Sequence, residues 1–243
     1  MRLRTMFLSP VVVAAMLLAS GCDGSKPLIR KKQGEQPGPF PAADRPVASI
    51  VSARWSTEEA RDRLNEAGTV MKQAGIAPGM TVADIGAGEG YYTIRLSAQV
   101  GKTGRVLAED IVAATRDALA ERVARERLDN VSVRLGAPSD PKLPAKSFDR
   151  VLMVHMYHEI EQPYEFLWRL RPSVKPDGLV VVVDANRPTQ AHGTPPQLLR
   201  CEFAAVGYRQ VSTTEMPSAG GYLAAFRPVG PRPDPAKIRA CRI

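Results

Sequence analysis

The stretch Val82-Ala83-Asp84-Ile85-Gly86-Ala87-Gly88-Glu89-Gly90 decides how the rest of the chain is read. Alternating small and branched apolar residues end in an acidic one, three glycines follow at every second position, and a helical pattern then starts near Tyr92. Glycines at a strand-to-helix junction let the backbone approach a ligand closely, and the helix start beyond them offers free N–H groups. The spacing is GxGxG, with Tyr91 where a dinucleotide-binding GxGxxG loop needs its third glycine, so a nicotinamide cofactor is disfavoured.

Outward from this loop, short apolar runs alternate with helical stretches. Thr81 to Ile85, Val106 to Glu109, Val131 to Leu135, Arg150 to His155 and Leu179 to Val183 read as strands. Tyr92 to Val100, Ala113 to Arg127 and Pro163 to Leu170 read as the helices between them, which predicts a parallel sheet with helices on both faces. Upstream, Ser56 and Glu59 form a capping box before a helix whose apolar face is Ala60, Leu64, Ala67, Met71 and Ala74. Downstream, Thr194 is expected to cap a helix to about Val206. Tyr208 to Thr213 and Tyr222 to Arg227 then follow without a crossover, as a hairpin.

Asp84 two residues ahead of GxGxG resembles the first motif of the class I S-adenosylmethionine-dependent methyltransferases, and further likenesses follow in order along residues 55 to 228. Gly104 to Ile111 is similar to the family's second strand, which makes Asp110 the expected ligand of the ribose hydroxyls and places Glu109 where an apolar residue is usual. Gly136-Ala137-Pro138-Ser139-Asp140 resembles the adenine-contacting loop, with Asp140 accepting from the adenine amino group. Lys175-Pro176-Asp177-Gly178 resembles the turn before the fifth strand. The resemblance implies an α/β, Rossmann-like doubly wound sheet of seven strands, mostly parallel with an antiparallel C-terminal edge hairpin. It implies S-adenosyl-L-methionine as cofactor, held by Asp84, Gly86, Gly88, Gly90, Asp110, Asp140 and His155.

The chain has three histidines, and all fall just past the expected ends of strands four and five: His155, His158 and His192. Ligands of open α/β sheets bind beyond those strand ends. His158, Glu159 and His192 are therefore the candidates for a catalytic base or an acceptor contact, with His158 and His192 expected to face the reacting methyl group. A three-histidine metal site is the competing reading; no cysteine lies in these motifs, and no metal is assigned. Tyr91 and Tyr92 read equally as cleft wall or as core.

The ends are different. Arg2 and Arg4, an apolar stretch from Met6 to Ala19, and Leu18-Ala19-Ser20-Gly21-Cys22 read as a signal peptide resembling the bacterial lipobox, in which Cys22 is lipidated. The expected layout is residues 1–21 signal, 22–46 lipidated Cys and Pro-rich linker, 47–228 methyltransferase domain, and 229–243 Pro-rich tail. That places the chain on a membrane through its lipid anchor, in the cell envelope facing the periplasm. With Cys22 acylated and the compartment oxidising, Cys201 and Cys241 are expected to pair.

The formal net charge is +8, but it sits at the ends. Residues 1–45 hold seven Lys/Arg against three Asp/Glu and residues 227–243 hold five against one, which leaves 21 of each in between. A neutral core has no footprint for nucleic acid. The expected partner is a small-molecule methyl acceptor and the expected function is methyl transfer to it. The alternative is a non-catalytic envelope lipoprotein that keeps the fold as a binding module, because the cofactor is made in the cytoplasm.

Overall fold

The computed structural model describes residues 38–50 and 57–242. The signal segment, Cys22 and Ser56 lie outside the described residues. In chain order the elements are α1 (Glu58–Arg63), α2 (Glu66–Gln73), β1 (Thr81–Ile85), α3 (Tyr91–Val100), β2 (Arg105–Asp110) and α4 (Ala113–Arg125). These are followed by β3 (Val131–Leu135), β4 (Phe148–Val154), α5 (Pro163–Leu170), β5 (Val174–Asp184), α6 (Pro196–Ala205), β6 (Tyr208–Met216) and β7 (Gly221–Pro228). No helix among the described residues is long and apolar enough to cross a membrane.

The strands form one sheet in the order β3-β2-β1-β4-β5-β7-β6. The first five pair in parallel, β7 runs antiparallel to β5, and β6 pairs antiparallel with β7 at the edge. This is the seven-stranded, doubly wound sheet with an edge hairpin that the sequence led us to expect. The central strands read as nearly unbroken apolar runs because helices cover both faces. Val82, Val181 and Val183 face α2 and α3, while Ala83, Val151, Val180 and Val182 face α5 and α6. The order reverses between β1 and β4, so a crevice opens at the C-terminal ends of the two central strands.

Several local expectations change. The N-terminal helix is two helices, because Asn65 takes a left-handed conformation at φ 49° that Asn tolerates better than most residues. The break turns Leu64 out to solvent while Ala67, Met71 and Ala74 stay buried. Thr57 caps α1, its hydroxyl accepting from Ala60 N–H at 3.2 Å. Thr194 caps nothing: its hydroxyl donates to Asp184 at 2.7 Å, and Pro195 precedes α6 instead. Strand β5 begins at Val174, so the Lys175 to Gly178 segment is irregular strand beside Phe148 rather than a turn.

Both flanks of the expected domain also pack on it. Phe40 meets Trp168 edge-on at 5.5 Å, and Arg45, from the stretch read as solvated linker, bonds the buried Glu202 at 2.9 Å. In the tail, Trp168 donates its indole N–H to the Pro233 carbonyl at 2.9 Å, Ile238 is buried, and Cys201 and Cys241 form a disulfide. A Pro-rich composition lowers the chance of regular structure, yet single aromatic and Arg anchors are enough to seat an irregular segment on a core.

Candidate active site

A cleft of about 990 Å³ opens at the topological switch. Its floor is the end of β1 and the glycine loop, with Asp84, Gly86, Ala87, Gly88 and Glu89. The end of β2 and the start of α4 form one wall, with Glu109, Asp110 and Ala118. His155, Met156, Glu159 and Phe166 form the other, and Glu58, Arg61, Tyr91 and Tyr92 cover the top.

The glycine loop is built by backbone conformation. Gly86, Gly88 and Gly90 all have positive φ, at 66°, 55° and 90°. A side chain on Gly86 would also crowd Met156 at 3.0 Å, so the bare backbone there forms part of the cleft surface. Gly90 sits at the start of α3 and lies off the lining, where its role is to turn the chain into the helix.

Three carboxyl groups converge beneath this loop. Asp84 is buried, accepts from the Thr93 hydroxyl at 2.6 Å, and is pushed up to about 6, first by burial and partly by Asp110. Asp110 accepts from Gly88 N–H at 3.0 Å and Val112 N–H at 2.8 Å, which ties the glycine loop to β2. Glu109 is 1% exposed and is pushed up to about 8 by burial and then by Asp110, so it is a neutral acid at pH 7. Its Oε1 has no hydrogen-bond partner, and a methyl group on Gly136 would overlap that oxygen. The sequence reading passed over Glu109 as an oddity beside Asp110. Its position before Asp110 on a strand puts it on the opposite face, and only the sheet's covering makes that face interior.

Asp140 does not join the cleft. It closes a tight turn with Ala137 through paired backbone bonds of 2.8 and 3.0 Å and accepts from Lys142 N–H, while Pro138 forms the wall instead. The Asp140 carboxylate instead caps its own turn and lies 3.6 Å from the Arg169 guanidinium, in place of the expected adenine contact at the cleft lining.

The histidines separate. His155 lines the cleft with a left-handed backbone at φ 54°, and burial lowers its pKa, which keeps the imidazole neutral at pH 7. His158 and His192 do not line it. His158 is 1% exposed, with Nδ1 at 3.0 and 3.1 Å from the two Asp184 oxygens, and its ring meets His192 edge-on at 5.4 Å. Against the expectation that both rings face the cleft, neither lines it here. Asp184, at the end of β5, pulls His158 inward, and Glu159 is the member of the trio that reaches the cleft.

Sequence reasoning also missed the cover. Glu58 of α1 bonds Arg122 of α4 at 2.6 Å and Arg95 of α3 at 3.2 Å, and Asp62 bonds Arg95 at 2.5 Å. Tyr91 is both core and wall: its ring lies between the guanidinium groups of Arg61 and Arg95, at 3.7 and 3.8 Å. Its hydroxyl donates to Asp62 and that of Tyr92 to Glu66. Both phenols are pushed up by burial, Tyr91 to about 12, so they act as donors and not as bases. In sequence these charges look like an ordinary solvated helix face.

Residues 82–178 match the family model of a methyltransferase domain. The match spans β1 to β5 up to Gly178, and so contains the glycine loop and both cleft walls apart from the α1 cover. Among curated relatives, demethylmenaquinone methyltransferase of Staphylococcus aureus is 30% identical over 120 residues, 49% of each chain. Nocamycin O-methyltransferase of Saccharothrix syringae is 40% identical over 74 residues, 30% of this chain and 26% of that one. The chain thus spans half or less of the length of these relatives. Among solved structures, a SAM-dependent methyltransferase from Aquifex aeolicus superposes with a TM-score of 0.60 at 24% identity, covering 70% of this chain and 97% of that one. This chain shares the fold of that structure, and the cleft of this chain lies at the sheet edge that holds Asp84 and the three glycines.

Proposed function

We propose that this chain transfers a methyl group from S-adenosyl-L-methionine to a small molecule. The observation that carries the reading is the tie between Asp110 and Gly88 across a cleft floored by positive-φ glycines. It sets a carboxylate beside bare backbone, the combination that suits an adenosyl ribose, since one carboxylate accepts from both hydroxyls. The volume fits a ligand of that size. When bound, the cofactor supplies an electrophilic methyl group. The protein's own part is to hold the donor by Asp110 and the loop, to cover it with α1 and Tyr91, and to orient the acceptor against the His155 and Glu159 wall. Proximity and alignment are the main requirement of such a displacement, and a base is needed only for a protonated acceptor. Glu159 is the cleft-facing candidate for that base. The matched relatives are named for methyl transfer to demethylmenaquinone and for nocamycin O-methylation, which supports small acceptors in general. The fold itself does not name one, for the [4+2]-cyclase SpnF shares it with a TM-score of 0.59 at 16% identity.

Calorimetry with S-adenosylhomocysteine tests the reading. Asp110→Ala is expected to cost roughly 1.5–3 kcal/mol, the range for hydrogen bonds to a charged group. Absence of binding by the unaltered chain overturns it. We further propose, from the lipobox-like segment alone, that the mature chain is held on an envelope membrane through Cys22. Cys22→Ser is then expected to abolish membrane fractionation and the acyl mass increment, and an unchanged product removes the anchor.

A further inference from the structure

His158 and His192, which do not line the cleft, lie beside Glu159, which does. The ligand-capable atoms of His158, Glu159 and His192 all lie within 4.8 Å of one another. Tetrahedral zinc with bonds of about 2.0–2.2 Å sets its donors about 3.3–3.6 Å apart, so side-chain adjustments of about an ångström close the set. The order of protons also fits. A carboxylate only accepts, so the contact of His158 Nδ1 with Asp184 puts the proton on Nδ1 and the lone pair on Nε2. Asp184 is itself fixed by the Thr194 hydroxyl at 2.7 Å and Ala185 N–H at 2.9 Å. A histidine oriented by a buried carboxylate, with its other nitrogen left to donate electrons, is the usual support of a metal-bound imidazole.

The backbone under the trio is equally constrained. His158 and Glu159 stand on one short 3₁₀ turn, Tyr157–Glu159, and His192 directly follows another, Thr189–Ala191. The N-terminal segment lashes the two turns together: Ala48 N–H donates to the His158 carbonyl at 3.2 Å and the Thr189 hydroxyl donates to the Pro46 carbonyl. His192 has φ 56°, a left-handed conformation that costs a residue with a side chain. We propose that His158, Glu159 and His192 bind a divalent transition metal, zinc by the softness of two imidazoles and one carboxylate, with Asp184 positioning His158. Three protein ligands leave a coordination position open, and Glu159 also borders the cleft. The site shares Glu159 with the cleft, and a zinc-bound Glu159 would not serve as the base; metal retention is nevertheless read whatever the cleft binds.

The test uses the full chain, stripped with chelator, reloaded with zinc alone, desalted and measured by mass spectrometry of the metal, with zinc-dependent thermal stabilisation as the second readout. One zinc per chain is expected. His192→Ala and Glu159→Gln are each expected to weaken zinc binding by more than the roughly 10–100-fold that loss of an outer hydrogen-bond partner costs. His155→Ala, outside the trio, is expected to keep the metal. Should His192→Ala fail to fold, Glu159→Gln carries the same comparison. No retained zinc in the unaltered chain overturns the site, as does retention unchanged in Glu159→Gln or lost equally in His155→Ala.

Discussion

Glu109 is the residue whose replacement tests the electrostatics of the cleft most directly. Its folded pKa is raised from 4.5 to about 8 by burial and by Asp110. In the unfolded chain it ionises near 4.5, so between pH 4.5 and 8 the folded state binds a proton that the unfolded state has released. Stability is fully present below 4.5 and is lost as pH rises toward 8, at about 1.4 kcal/mol per pH unit. The accumulated loss is roughly 3 kcal/mol at pH 7 and roughly 5 above pH 8. Glu109→Gln keeps the shape and an oxygen to accept from Gly86 N–H, and it cannot ionise. Asp84, also raised, titrates in both proteins and largely cancels in the difference. Urea unfolding of the ligand-free chain at pH 5, 7 and 9 is therefore expected to show nearly equal stabilities at pH 5, with the variant ahead by several kcal/mol at pH 9. A gap that stays constant across this range refutes the reasoning, since it means that Glu109 titrates alike in both states.

Gly136→Ala is expected to destabilise the fold by about 1–3 kcal/mol, because the new methyl group meets the Glu109 carboxyl in a packed site. Combining it with Glu109→Ala should recover most of that loss, and additive effects in denaturant titrations would reject the contact. Cys201→Ser opens a loop whose ends are 40 residues apart, which costs about 4 kcal/mol on the chain-entropy model. The same change should expose the tail after Val229 to limited proteolysis, and an equally resistant tail would show that its non-covalent anchors, among them the Trp168–Pro233 bond and the bonds from Arg171 to the Val229 and Gly230 carbonyls, suffice.

The sheet was legible because its strands are long apolar runs between helices, and periodicity survives any detail of packing. The glycine loop was legible for a related reason: Asp84 and three glycines in nine residues specify a backbone path more than a set of contacts. The break at Asn65 was not legible, because a left-handed residue leaves no mark on hydrophobic spacing until Leu64 is seen facing solvent. The role of Arg45 was hidden because its partner Glu202 lies 157 positions away, on the inner face of a helix that otherwise reads as apolar.

The histidines show where topology stops informing chemistry. Strand order placed His155, His158 and His192 correctly at one edge of the sheet, but which way each ring turns depends on what its neighbours offer. His155 follows β4 in a left-handed conformation and stays on the cleft side. Three residues later the chain is in a 3₁₀ turn, where the next ring comes round to a buried carboxylate at the end of β5. That carboxylate, Asp184, carries no motif in the sequence that would mark it. Burying it without a partner would cost several kcal/mol. Three donors, from His158, Thr194 and Ala185, remove that cost, and taking His158 as one of them withdraws it from the cleft. The cleft wall is therefore left to His155 and Glu159, while the buried His158 and the half-buried His192 lie together behind it, where we propose the metal.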